Sequence, residues 1–277
     1  MDATRTICKE NTMHRRTLLK AAAATAASAL AGCATTSGSN PKAPFVLVHG
    51  AWHGGWCWDR VKPLLEAAGH KVYAPTLTGL AERAGELSAT INLDTHARDV
   101  IGVLERNDLH DAILVGHSYA GMVIPLVADR VPRRLKRLVF LDALLLENNT
   151  SFKSSVPADV WAARIKLAQE KGRGIGFPAF PAAAFGIVDK ADQAWVDSKL
   201  TPHPVGTYEQ AMVLRQPFGN GIDKVYVDCT SPVMAAVNAS RSKARAQPGW
   251  KYDAIATGHD AMVSAPRELA ALFLRYT

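Results

Sequence analysis

The strongest constraint on the fold is a rhythm in which short, mostly apolar runs alternate with longer stretches of helical periodicity. Phe45 to Val48, Val72 to Ala74, Ala112 to Val115, Leu138 to Leu141, Val225 to Val227 and Tyr252 to Ala256 are too short for buried helices and read as strands. Between them, Arg60 to Ala68, Asp94 to Arg106, Tyr119 to Asp129 and Pro266 to Tyr276 read as helices. Asp94 suits an N-cap, ahead of Ala97, Val100, Ile101 and Leu104 on one face; Pro266 suits a first turn, ahead of Leu269, Leu272, Phe273 and Tyr276. A strand apolar at consecutive positions needs burial on both faces. That is the parallel sheet of a doubly wound α/β chain.

The rhythm stops between residues 144 and 221, a stretch with six prolines and scattered large aromatics (Phe152, Trp161, Phe177, Phe180, Phe185 and Trp195). It holds a helical piece, Ala158 to Lys171, but no strand of comparable strength. The expected organisation is a core of residues 45–143 and 222–277, with 144–221 inserted as a helical lid over the carboxyl edge of the sheet.

Ahead of the core, MHRRTLLKAAAATAASALAGC from Met13 joins a pair of arginines to a weakly apolar Ala/Leu stretch and a Leu-Ala-Gly-Cys end. This resembles a bacterial twin-arginine export signal with a lipoprotein processing site. Residues 1–32 are then an address, Cys33 carries the lipid, 33–44 form a tether, and the protein sits in the periplasm or cell envelope. Removing that address takes away five basic and two acidic residues, so the formal charge of +7 falls to +4. The dense basic run that remains (Arg130, Arg133, Arg134, Lys136, Arg137) lies past a helix end and reads as a solvated rim. No nucleic-acid-binding motif accompanies it, and the only membrane contact expected is the lipid. Cys57 and Cys229 are expected free and semi-buried.

Chemistry concentrates at three places. Gly116-His117-Ser118-Tyr119-Ala120-Gly121 follows a strand and opens a helix, the context of a nucleophile elbow, with Ala120 where the second glycine of G-x-S-x-G usually stands. His49-Gly50-Ala51 ends the first strand and opens the turn AWHGGWCW, from which the N–H of Ala51, with that of Tyr119, could hold an oxyanion. His49 and His53 have metal-ligand spacing only on a helix, which this glycine-rich turn is not, so no metal is expected. Gly258-His259-Asp260 follows the last strand, and of nine histidines His259 alone has the position and chain order of a catalytic base. His117 is expected to pack under the elbow; His70, His96 and His110 read as solvated.

A carboxylate must orient His259. The common location, after Val225 to Val227, reads Asp228-Cys229-Thr230-Ser231-Pro232, with no acid beyond the strand end. Asp142, closing the strand Leu138 to Leu141, is the first choice, Glu147 the second and Asp228 the third.

FVLVHGAWHGGWCW, GHSYAG and TGHDAM together resemble the α/β-hydrolase superfamily, in the branch of plant methylesterases and hydroxynitrile lyases with bacterial esterase and carbamate-hydrolase relatives. PTLTGLAER (Pro75 to Arg83) and LTPHP (Leu200 to Pro204) look more like the bacterial members. The resemblance runs from Phe45 to Tyr276. It implies a lid after the sixth strand in the family's count and a cofactor-free serine hydrolase of small apolar or aryl esters, carbamates or amides. Trp52, Trp161 and Phe180 are the expected pocket residues. Two other readings stay open: a lyase that uses the same residues on a cyanohydrin, and a binding protein without turnover. A lyase of this branch would carry threonine after the first-strand histidine and lysine after the second; this chain has Gly50 and Asp260.

Overall fold

The structure is a computed structural model and describes residues 42–277, so the export signal, Cys33 and most of the tether lie outside the described residues. Consecutive apolar residues in each strand divide between two cores. Val46, Val48, Leu114, Leu138 and Phe140 face the first, against Ala97, Val100 and Leu104 of the helix Leu93–Arg106. Phe45, Leu47, Ile113, Val115, Val139 and Leu141 face the second, against Leu269 and Phe273 of the helix Pro266–Leu274. Burial on both faces is what the apolar runs required.

The strands are β1 (Phe45–Val48), β2 (Val72–Tyr73), β3 (Ala112–His117), β4 (Leu135–Leu141), β5 (Gly176–Phe177), β6 (His203–Pro204), β7 (Asp223–Cys229) and β8 (Lys251–Ile255). Six form one sheet in the order β2-β1-β3-β4-β7-β8, every neighbouring pair parallel. All carboxyl ends therefore lie along one edge, where loops can converge.

Several local expectations need correcting. Asn92, not Asp94, caps the helix Leu93–Arg106: its side chain accepts from Thr95 N–H while Thr95 Oγ1 accepts from Asn92 N–H. Asp94 instead stands in the first turn, where its charge suits the helix dipole and pairs with Arg130. The helix expected from Tyr119 begins as a 3-10 turn, Ser118–Gly121, and becomes α-helical at Val123–Arg130. Between β4 and β7 the chain forms the helices Phe152–Ser155, Ala158–Lys171, Lys190–Asp197 and Gly206–Glu209. It also forms an antiparallel ladder, β5 with β6, whose two-residue strands are too short to leave a periodic signal. The basic run is tied down rather than simply solvated: Arg134 pairs with Asp108 and Arg137 with Asp223. Cys57 and Cys229 are free and fully buried. Among the described residues no helix is long and apolar enough to cross a membrane.

Candidate active site

The end of β3 delivers Ser118 on a backbone that few residues adopt. Its φ is 54°, in the left-handed region, a strain of about 1–3 kcal/mol that the surroundings must hold. Leu144 N–H donates to Ser118 C=O at 2.9 Å, tying the turn to the chain leaving β4. That approach explains the displaced glycine of the motif: a Cβ at Gly121 would stand 2.2 Å from Leu144 C=O, whereas Ala120 fits, fully buried. Gly50 is similarly required, because a Cβ there would lie 3.0 Å from Ser118 Cβ.

Ser118 Oγ lies 2.8 Å from His259 Nε2, and His259 Nδ1 donates to Asp142 Oδ2 at 2.6 Å. Asp142 follows β4 and His259 follows β8, so three strand ends supply one hydrogen-bonded line. Glu147 does not reach it: its side chain is 75% exposed and pairs with Lys243. Asp228 does not either; it lies within β7 and is held by Arg241, Arg245 and Tyr252.

Ser118 and His259 open on a cavity of about 290 Å³ with walls from Trp52, Leu144, Phe152, Phe180, Phe185 and Val237. Arg164 adds a guanidinium, stacked 5.3 Å from the Phe152 ring and 5.8 Å from Phe180. Trp161, expected here, does not line the cavity. It is buried edge-on against Phe177 with the Lys153 ammonium over its ring, and Arg164, one turn along the same helix, takes the cavity side.

Ala51 also lines the cavity, and among the described residues no turn, loop or cap hydrogen bond uses the N–H of Ala51 or Tyr119. The loop carrying Ala51 is fixed from several sides. Leu77 N–H donates to His49 Nε2 at 3.0 Å, Trp52 Nε1 donates to Phe177 C=O at 3.0 Å, and Thr201 N–H donates to Trp52 C=O at 3.0 Å. His53 uses both ring nitrogens, donating to Ala51 C=O at 2.8 Å and Asp260 Oδ2 at 3.0 Å. Burial alone would depress the His53 pKa, but the Asp260 carboxylate overrides it and raises it, favouring the imidazolium beside that carboxylate. Among the described residues no cluster of metal-ligating side chains occurs.

Four other histidines are buried and neutral. Burial lowers His49 to about 3 and His96 to about 4, and pushes His117 and His203 well below the usual range. His96 is therefore not a solvated residue: Tyr119 Oη donates to its Nδ1 at 2.9 Å and its Nε2 donates to Thr78 C=O. Nor is His70, which is buried against Phe45 and bonds Ala43 C=O. His110 is exposed, and His117 lies under the elbow, donating to His259 C=O at 3.0 Å.

The sequence profile of the Alpha/beta hydrolase family matches residues 45–272, nearly the whole described chain. The chain belongs to the α/β-hydrolase family. A carbendazim hydrolyzing esterase from Nocardioides sp. (strain SG-4G) is 39% identical over 237 residues, 82% of this chain and 97% of that protein. An alpha-hydroxynitrile lyase of Arabidopsis thaliana is 42% identical over 102 residues, which cover 36% of this chain and 40% of the lyase. Among solved structures, an extracellular α/β-hydrolase from a Paenibacillus species superposes with a TM-score of 0.73 at 23% identity, covering 84% of this chain and 98% of that one. In this α/β-hydrolase the sequence had not pointed to Arg164, Arg241 or the His53–Asp260 pair. Arg241 and Arg245, four residues apart among small residues, were the one available sign of a helix face turned toward carboxylates.

Proposed function

We propose that this α/β-hydrolase is a serine hydrolase of small apolar or aryl carboxylic esters, extending to carbamates and amides, working through an acyl-enzyme. The observation that carries the reading is the line Ser118–His259–Asp142, whose Ser118 and His259 open on an apolar cavity. Ser118 Oγ attacks the carbonyl carbon as its proton passes to His259 Nε2, and Asp142 stabilises the imidazolium that forms. The oxyanion is received by the N–H groups of Ala51 and Tyr119, each donor being worth about 10²–10³ in rate. His259 then gives its proton to the departing alkoxide or amine and takes one from the water that releases the acid. The segment 144–221 acts as the lid: Trp52 and Phe180, 5.1 Å apart and edge to face, form an aromatic wall suited to an aryl group.

The esterase relative supports hydrolysis over lyase chemistry, and so does Asp260. It puts a buried carboxylate, committed to His53, where a cyanohydrin lyase of this branch would carry lysine. A panel of chromogenic acetate esters, aryl carbamates, anilides and carbendazim tests the reading. Ester cleavage is expected, abolished in Ser118→Ala; cyanide release from a cyanohydrin without ester cleavage would sink it. Absence of both, with no fluorophosphonate label on Ser118, would leave a binding protein.

The export reading rests on the Arg15-Arg16 and Leu30-Ala31-Gly32-Cys33 motifs. In a bacterial host the full chain should fractionate with membranes and Cys33→Ser should not be lipidated; identical lipid labelling of both would refute it.

A further inference from the structure

Asp142 spends only one carboxylate oxygen on His259. Oδ2 accepts the His259 bond, while Oδ1 accepts from Arg241 Nη2 at 2.7 Å and from Cys229 N–H at 3.4 Å. Arg241 belongs to the helix Asn238–Ala246 and is 6% exposed. Its five N–H groups are all engaged: Nε with Asp228 Oδ1, Nη1 with Met234 C=O at 2.8 Å and Asn238 Oδ1 at 2.6 Å, and Nη2 with Asp142 and Cys229 C=O. Asp228, 2% exposed, completes its own shell with Arg245 at 3.0 Å and Tyr252 Oη at 2.7 Å. Two buried carboxylates on adjacent strand ends therefore share one buried guanidinium.

We propose that Arg241 is the positioning residue of the Ser118–His259–Asp142 line: it keeps Asp142 ionised with Oδ2 aimed at His259 Nδ1, and Asp228 sets how much of its charge Asp142 receives. This rests on the serine hydrolase reading. The physical reason is that two carboxylates in a dry site cannot both stay ionised without the cation between them. If they share a proton, Asp142 spends part of its time as a neutral acid, unable to offset the imidazolium that forms as Ser118 attacks. The other charges around the line are already committed. Asp260 is bound to His53, and His117 is held neutral by burial. The Cys229 thiol is pushed up by burial, and Arg245 reaches Asp228 from the solvent side.

A role confined to packing shows in stability alone, whereas the proposed role shows in kcat and its pH profile on folded protein. Arg241→Gln should lower kcat about 100-fold at pH 7, within the range of triad perturbations, leave KM within about threefold, and recover as pH rises. Arg241→Lys, which keeps the charge, should stay within about tenfold of wild type. Arg241→Gln with Asp228→Asn removes the competing carboxylate and should regain at least about tenfold in kcat, measured on folded protein, over Arg241→Gln alone. Wild-type kcat and pH profile in Arg241→Gln, or a double variant no better than the single one, overturns the proposal. Should Arg241→Gln fail to fold, Asp228→Asn alone decides. It leaves Arg241 to Asp142 alone, so kcat should hold at or above the wild-type value, and a tenfold loss on folded protein overturns the role. A wild-type chain that neither cleaves esters nor takes the fluorophosphonate label overturns the hydrolase reading itself, a result distinct from failures confined to the variants.

Discussion

Acidification should unfold this protein through its histidines, well before its carboxylates are titrated. Take His49 and His96, held neutral by burial down to about 3 and about 4. An unfolded histidine takes up a proton near its ordinary value of 6.5, so below that pH the unfolded chain binds more protons and stability falls as pH falls. Between pH 7 and pH 5 each group costs about 2 kcal/mol, hence about 4 kcal/mol for the pair, against a typical total of about 5–15. His117 and His203 act in the same direction. His53 acts in the opposite one: its raised pKa gives stability that is complete below 6.5 and lost as pH rises through the folded value, an offset of at most about 1 kcal/mol over this window. Asp260, held low by His53, is lost only below the ordinary carboxylate range and stays out of the window. The assay is the urea midpoint at pH 7, 6 and 5, with the slope fixed from the same curves. In His96→Gln the drop between pH 7 and 5 should shrink by about 2 kcal/mol. A wild-type stability unchanged over that range would refute the reasoning, and so would a His96→Gln variant that loses as much as wild type.

Three further expectations concern the site. Asp142→Asn should cut kcat by about 10⁴, as removal of a triad acid does, while Glu147→Gln leaves it within twofold; steady-state kinetics on one ester decide between them. Asp260→Asn should destabilise the fold by about 3 kcal/mol by breaking a buried ion pair, and by more at pH 5 than at pH 8, read from denaturant midpoints. Phe180→Ala should raise KM for an aryl ester about tenfold and spare a short alkyl ester, whereas Trp161→Ala should lower the melting temperature and leave both KM values within about threefold.

Much of the architecture could be read from the chain because it is written in near neighbours. The central strands each hold a short apolar run, whereas the edge strand β8 carries Lys251 and Asp253, and Ser118 sits between a strand and a helix that can be recognised within a dozen residues. Asp142 was accessible by the same logic, as an acid at a strand end where the usual place held none. What escaped depends on partners far apart in sequence. His96 reads as polar surface until Tyr119 supplies a hydroxyl across the helix interface, and Asp260 gains its meaning from His53, 207 residues away. Trp161 and Arg164 lie on one helix with little apolar contrast between its faces, so periodicity could not tell which of them turned toward the cavity.

The bonds from Trp52 into the segment 144–221 carry a mechanical consequence. The indole N–H is fastened to Phe177 and the peptide carbonyl to Thr201, so that segment and the loop carrying Ala51 are stitched at two points on either side of one residue. In the proposed hydrolase, parting that segment from the loop would break both bonds at once, so a substrate too bulky for the cavity of about 290 Å³ should be turned over poorly.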